Sequence, residues 1–380
     1  MPIKRRLLLL LLPILILSAV ATILWRQQID LRARTPLIAE LGFFRDDWQP
    51  TVQVTDQAAL RLLGSAFEQA STIPAAPQNG EAPFYRLRMQ YVDGAAEYLI
   101  AHDLRVVTAT EDSEIVLGAT ALQELAQRVA LLKRLQFGEL LPWSEVSQLI
   151  PRYSTFSITD LETGLTWRAQ RRAGSQHADV QPLSKADTAT LKTVYAGSWS
   201  WNRRAVIVEY AGRRIAASVN GMPHGSGALP NGFPGHHCLH FLGSTTHGGD
   251  NLDPVHQLMV HRAAGELCEY LDQAAPEELQ ILALEMAGQG EKAIVSLLTN
   301  NQAVSSAGLV DQIRDIRIWS QRISPASGGT LRGNYNVSVY FSGDAREYRL
   351  NVTLTCRYHG YLGKWLVEPD YLQQLLSARG

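Results

Sequence analysis

Four short turn sequences govern what this chain can become. Asp93-Gly94, Glu162-Thr163-Gly164, Ala211-Gly212 and Gly343-Asp344 each separate two runs rich in alternating apolar residues. Period-two alternation lets one strand face pack against a core, and a glycine in the turn supplies the positive φ of a tight hairpin. The flanking runs are 84–91 with 98–108, 156–160 with 165–170, 205–210 with 214–219, and 335–341 with 348–356. The fold class expected from them is α+β, with antiparallel hairpins in successive regions and helices between them.

Helices are expected over 58–70, 119–135, 186–195, 277–286 and 291–298, and another begins at Asp253-Pro254, an N-cap followed by proline in the first turn. Ser184 is the expected cap of the 186–195 helix, with Asp187 in its first turn. A chain of 380 residues is long enough for two or three domains. The expected division is an N-terminal membrane anchor or signal peptide (1–26), a small α/β domain (27–150), a mostly β catalytic domain (151–273) and a C-terminal α+β module (276–380). Within the second, 27–50 reads as a stalk with a short helix and 71–83 as a loop. Helices followed by a curved antiparallel sheet ending at 363–367 resemble cystatin-like and nuclear-transport-factor-like modules, and this segment is expected to fold alone.

Lys4, Arg5 and Arg6 precede nineteen uncharged residues, 7–25. A basic head before an apolar run of this length is an export signal, and about 20 apolar residues span a bilayer. The bulk of the chain is therefore expected in the cell envelope, outside the cytoplasm, anchored to the cytoplasmic membrane or secreted. A net charge of −1 argues against a nucleic-acid partner. Of three cysteines, Cys268 follows Val260, Ala264 and Leu267 at helical spacing, and Cys356 alternates with Leu350, Val352 and Leu354; both read as core. Cys238 stands instead among histidines and glycines.

Eight of the ten histidines fall between His177 and His261, five of them within 221–248. Two chemistries compete for this cluster. In the first, Cys238 is a nucleophile, His224 or His236 takes its proton, and backbone amides at Gly235 and its neighbours hold the developing oxyanion. The thiol is then expected to be partly ionised near neutrality. In the second, His236, Cys238 and His240 share one face of an extended strand and hold zinc, with His224, His247 or His177 completing the shell and Asp179 or Asp253 as base. Asp179, two residues after His177, is placed to orient a histidine of the cluster. Trp199 and Trp201 read as groove or packing residues, and Thr245, Thr246 and His247 as a second wall.

The 224–241 stretch, His-Gly-Ser-Gly-Ala-Leu-Pro-Asn-Gly-Phe-Pro-Gly-His-His-Cys-Leu-His-Phe, resembles a divergent form of the L,D-transpeptidase motif, a His-Gly pair followed by Ser-His-Gly-Cys and an apolar residue. His224-Gly225 matches the pair, His236 stands two before Cys238, and Leu239 matches the apolar position. Gly235 replaces the Ser or Thr, His237 the Gly, and His240 the Arg or Asn. The resemblance implies Cys238 as nucleophile, His224 as base, His236 as a supporting histidine, and peptidoglycan stem peptides as substrate, processed through an acyl-thioenzyme without a cofactor. Gly235, His240, His177, Asp179 and His247 are the expected substrate-side residues. A zinc-dependent envelope hydrolase and a non-catalytic metal-binding module remain the alternatives for the same side chains. Because the three N-terminal cations should stay inside, a reporter that fluoresces only in the cytoplasm, fused after Gly380, should be dark; a bright fusion would place the histidine cluster in the cytoplasm.

Overall fold

The computed structural model describes residues 35–43, 51–74, 84–108, 110, 113–246, 251–299, 307–360 and 362–379. The expected 1–26 anchor and His247 lie outside them. Among the described residues no helix is long and apolar enough to cross a membrane. The chain is mixed α and β, its sheets antiparallel, and it divides into two compact units, passing from the first to the second after Leu135.

The first unit holds one sheet of β1 (Ile38–Phe43), β2 (Val52–Val54), β3 (Ser71–Pro74), β4 (Tyr85–Gln90), β5 (Ala95–Ile100), β6 (Val106–Thr108) and β7 (Ser113–Val116), in the order β2-β1-β4-β5-β6-β7-β3. Alternation decides the buried face: Ala39, Leu41 and Phe43 on β1 and Tyr85, Leu87 and Met89 on β4 are buried. The Gln57–Gln69 helix is capped by Asp56, whose carboxylate accepts the amides of Ala58 and Ala59 at 3.1 and 2.9 Å. Three expectations change here. Part of the expected stalk, 38–43, is a strand because its alternate residues cover this core. Residues 71–74 extend the sheet beside β7 instead of looping. The expected 98–108 return strand breaks after Ile100, at a turn where Leu104 takes φ 69°, and resumes as β6.

The second unit is built on a closed six-stranded barrel of β8 (Thr155–Asp160), β9 (Thr166–Ala173), β10 (Ala178–Pro182), β11 (Arg204–Tyr210), β12 (Arg213–Val219) and β13 (His237–His240), in the order β10-β13-β12-β11-β8-β9 with β9 pairing back to β10. Ile158, Trp167, Ala169, Val180, Val206, Val208, Ile215, Ala217, Val219 and Leu239 join one core on one parity of the strands. Asp160 pins the β8–β9 turn: its carboxylate receives Arg204 at 2.7 and 2.8 Å and the Thr163 amide at 2.8 Å. The Trp143–Leu149 helix, which carries no strong sequence signal, buries Trp143 and Val146 in the same core. That burial draws the segment after Gln136 into the second unit, in place of the expected break near 150.

The other parity of β11 and β12 faces outward. Ala205, Ile207 and Ala216 pack there against Val255, Leu258 and Met259 of the Pro254–Ala264 helix. The same core continues through Leu279, Leu282 and Met286 of the Pro276–Gln289 helix into β14 (Ile313–Ile323), β15 (Thr330–Phe341), β16 (Tyr348–His359) and β17 (Lys364–Val367). Gln280 ties that helix to the sheet, donating to the Leu354 carbonyl at 3.0 Å and accepting the Tyr335 hydroxyl at 2.9 Å. Ion pairs reinforce the junction, Arg203 with Asp253 at 2.7 Å and Arg262 with Glu291 at 3.0 Å. Residues 276–380, expected as an independent module, share this core with the barrel's outer helix. Truncating Met259, fully buried at this junction, should cost about 2–5 kcal/mol. Met259→Ala should also lower the unfolding midpoint of the barrel, followed at Trp167, and of the sheet, followed at Tyr335, together; two separated transitions would show that barrel and sheet fold independently.

Candidate active site

Strand register builds the site. β13 lies between β10 and β12, with Cys238 directly opposite Asp179 and His240 directly opposite Ser218. Because Leu239 points into the barrel core, the pleat sends Cys238 and His240 to the outer face, beside Asp179 and Ser218. His237 shares the inward parity. It is fully buried, its ring edge-on to Phe233 with centroids 5.5 Å apart.

The glycine-rich loop brings His224 to the sulfur. His224 and His236 form an antiparallel bridge, each amide donating to the other's carbonyl at 2.9 Å. The approach demands glycine on both sides. Gly235 has φ +134°, and a Cβ there would lie 2.4 Å from the His224 carbonyl oxygen; Gly225 has φ +60°, and its Cβ would meet the His236 ring at 2.4 Å. His224 Nδ1 then lies 2.9 Å from the Met222 carbonyl and Nε2 lies 3.2 Å from Cys238 Sγ. A carbonyl can only accept, so Nδ1 carries the proton and Nε2 presents its lone pair to the thiol. The Asn220 side chain also hydrogen-bonds the sulfur, while its Oδ1 is buried without a partner. Half-exposed Trp201 sits 5.2 Å from the His224 ring, and Trp199 packs edge-on against Phe233.

Behind the sulfur lies a stack of imidazoles. His177 and His240 are near-parallel at 4.6 Å, and His240 and His256 at 3.7 Å; Ser218 Oγ lies 2.8 Å from His256 Nδ1. Asp179 Oδ1 stands between two histidines, 3.3 Å from His177 Nε2 and 3.8 Å from His236 Nε2. Ligand atoms of His177, Cys238 and His240 lie within 4.8 Å of one another, so among the described residues these three are the side chains able to share a metal ion. The strand trio expected from the sequence, His236 with Cys238 and His240, is not the one assembled: His236 is drawn away by the loop, with Nδ1 at the Ser226 carbonyl.

Other expected roles change as well. The Gly235 amide donates to the Phe233 carbonyl at 3.0 Å and its carbonyl accepts Gln181 at 2.6 Å, so Gly235 shapes the loop and offers no oxyanion donor. His177 and His240 are 1% and 2% exposed, too enclosed to meet an anionic substrate group. Burial, with Asp179 nearby, pushes the Cys238 thiol up to about 12 against the Asn220 hydrogen bond, so the resting group is a thiol and not the partly ionised species expected. None of the three cysteines forms a disulfide and all are buried; Cys356 lies in the shared core as anticipated. Asn220, Ser218 and His256 escape sequence reasoning, since only the β12–β13 register and the helix packed over it bring them to the sulfur and the stack. No family model matches the chain, and no curated protein matches it.

Burial holds these rings neutral. Desolvation lowers His240 and His256 well below the ordinary histidine value and brings His237 to about 3. The His237 ring nitrogens make no hydrogen bond of good geometry. Unfolded histidine titrates near 6.5. As pH falls through that value the unfolded chain takes protons that the folded chain refuses, so stability is present above it and lost below it. His237→Phe, which removes the orphaned nitrogens beside Phe233, should raise stability by about 1–3 kcal/mol and weaken the loss on acidification. Urea melts at neutral and mildly acid pH measure both; an unchanged acid slope would mean that His237 does not share in it.

Proposed function

We propose that this chain is an envelope cysteine acyltransferase acting on peptidoglycan stem peptides in the manner of L,D-transpeptidases, as transpeptidase or carboxypeptidase. The observation that carries the proposal is the contact of His224 Nε2 with Cys238 Sγ at 3.2 Å, with the tautomer set by the Met222 carbonyl. The 224–241 motif and the basic, apolar N-terminus supply the substrate class and the compartment.

The chemistry follows from a buried thiol beside a neutral imidazole. Cys238 Sγ attacks a peptide carbonyl carbon while its proton passes to His224 Nε2. Because burial disfavours a free thiolate, proton transfer and attack proceed together, and the imidazolium stays hydrogen-bonded to Met222. His224 then protonates the leaving amine, the C–N bond breaks, and a thioester remains on Cys238. An incoming amine completes transpeptidation; water completes hydrolysis. Asn220 supports sulfur as charge builds on it. Trp201, exposed beside His224, is the aromatic wall available to the substrate.

A metallohydrolase fits the geometry less well. Catalytic zinc keeps an open coordination position for water and substrate, whereas His177 and His240 are enclosed and stacked.

In the metal-free protein, a tetrapeptide stem or a carbapenem should add mass to the Cys238 peptide alone. Iodoacetamide labelling of Cys238 should keep rising through the alkaline range, as a thiol of raised pKa requires, and should slow by about tenfold or more in His224→Ala. A labelling rate indifferent to His224 would sink the proposed dyad; one that levels off near neutrality would show a thiol already ionised at rest and overturn the concerted proton transfer.

A further inference from the structure

The outer face of β10 and β13 carries an arrangement that the acyl-transfer chemistry does not use. His177 Nδ1 lies 2.7 Å from the Thr245 carbonyl and therefore donates to it. His177 Nε2 faces Asp179 Oδ1 at 3.3 Å. Cys238 Sγ and a nitrogen of His240 lie within 4.8 Å of the His177 ligand atom and of each other. His240 Nδ1 is buried with no hydrogen-bond partner, a lone pair or N–H left unused in the interior.

We propose that His177, Cys238 and His240 form a site for a borderline-soft divalent cation, zinc by its donor set, and that the bound ion holds Cys238 out of acyl transfer. Two imidazoles and a thiolate are a zinc donor set. Asp179, directly across the strand pair from Cys238, supplies the second negative charge that balances the ion. Binding exchanges the thiol proton for the metal: the S–H bond is broken, a Zn–S bond forms, and the proton leaves to solvent through His224 Nε2, the base already in contact with sulfur. Bringing the three atoms to zinc–ligand distances requires side-chain movement on the order of 1 Å. The enclosure of the two histidines leaves no place for a substrate on such an ion, so its effect is inhibitory. Acyl transfer would then proceed only in the zinc-free protein.

This inference rests on Cys238 as nucleophile only for the word inhibitory; the ion site itself stands or falls separately. The test uses the reduced full-length chain, stripped with a chelator and titrated with Zn2+ against a chromophoric competitor, then with Co2+. One ion should bind per chain, and Co2+ should give a thiolate-to-cobalt charge-transfer band, which requires sulfur in the shell. His240→Gln should weaken zinc by tenfold or more, and His359→Gln, at the far end of β16, should leave zinc affinity unchanged. Zn2+ should slow both iodoacetamide labelling and acylation of Cys238 by tenfold or more, reversed by chelator. Absence of stoichiometric binding, or binding without the charge-transfer band, overturns the site. Acylation that continues at full rate with zinc bound overturns its inhibitory role. If the zinc-free chain binds the ion through sulfur yet is never acylated, the metal site survives and the acyltransferase proposal fails.

Discussion

The alignment of β10, β13 and β12 is the constraint on which the site depends. Asp179 meets Cys238 and Ser218 meets His240 across adjacent strands. A one-residue slip would turn every side chain of β13 to the opposite face. Cys238 and His240 would enter the apolar barrel, and Leu239 would take the place beside His224. The slip is opposed from inside, where Leu239 shares a core with Trp167, Val180 and Val219, and by closure, which gives each strand two partners. The site is thus held in place by the packing of the residues that alternate with it.

Electrostatically the site is quiet. Its imidazoles are stacked and desolvated, its sulfur is a thiol, and Asp179 is the carboxylate that faces them. In so dry a setting the energetic consequences of moving one proton or one cation are large. Proximity of His224 to Cys238 supplies a path for the proton without requiring a standing ion pair. The same dryness makes the histidines costly: His237 contributes two unpartnered nitrogens to the barrel interior, where an apolar ring beside Phe233 would serve the packing as well.

Much of the architecture is legible in local pattern. The turns at Asp93-Gly94, Glu162-Thr163-Gly164, Ala211-Gly212 and Gly343-Asp344 lie where tight antiparallel pairs form, because glycine and alternation are local properties. Ser184 and Asp253 cap helices for equally local reasons. His224 and Cys238 are also within reach of a sequence argument, being fourteen residues apart around a glycine loop. What escapes is long-range. His177 takes the place expected of His236 because β10 pairs with β13, and the loop pulls His236 aside. His256 joins the stack from a helix. The union of the barrel with 276–380 depends on which apolar face covers Ala205, Ile207 and Ala216, and neither segment states this alone.

Closure of the barrel has one further consequence. Extended peptides are commonly captured by proteins as an additional strand, hydrogen-bonded along an open sheet edge. Here β9 pairs with β10 and β13 is flanked on both sides, so the strands carrying Cys238 and Asp179 present no free sheet edge to a guest. A chain lying across Cys238 must be gripped by side chains and loops, Trp201 and the 224–236 loop among them. Selectivity for such a guest would rest on the shape and composition of those few loop residues, and could change by substitution there while the barrel beneath stayed the same.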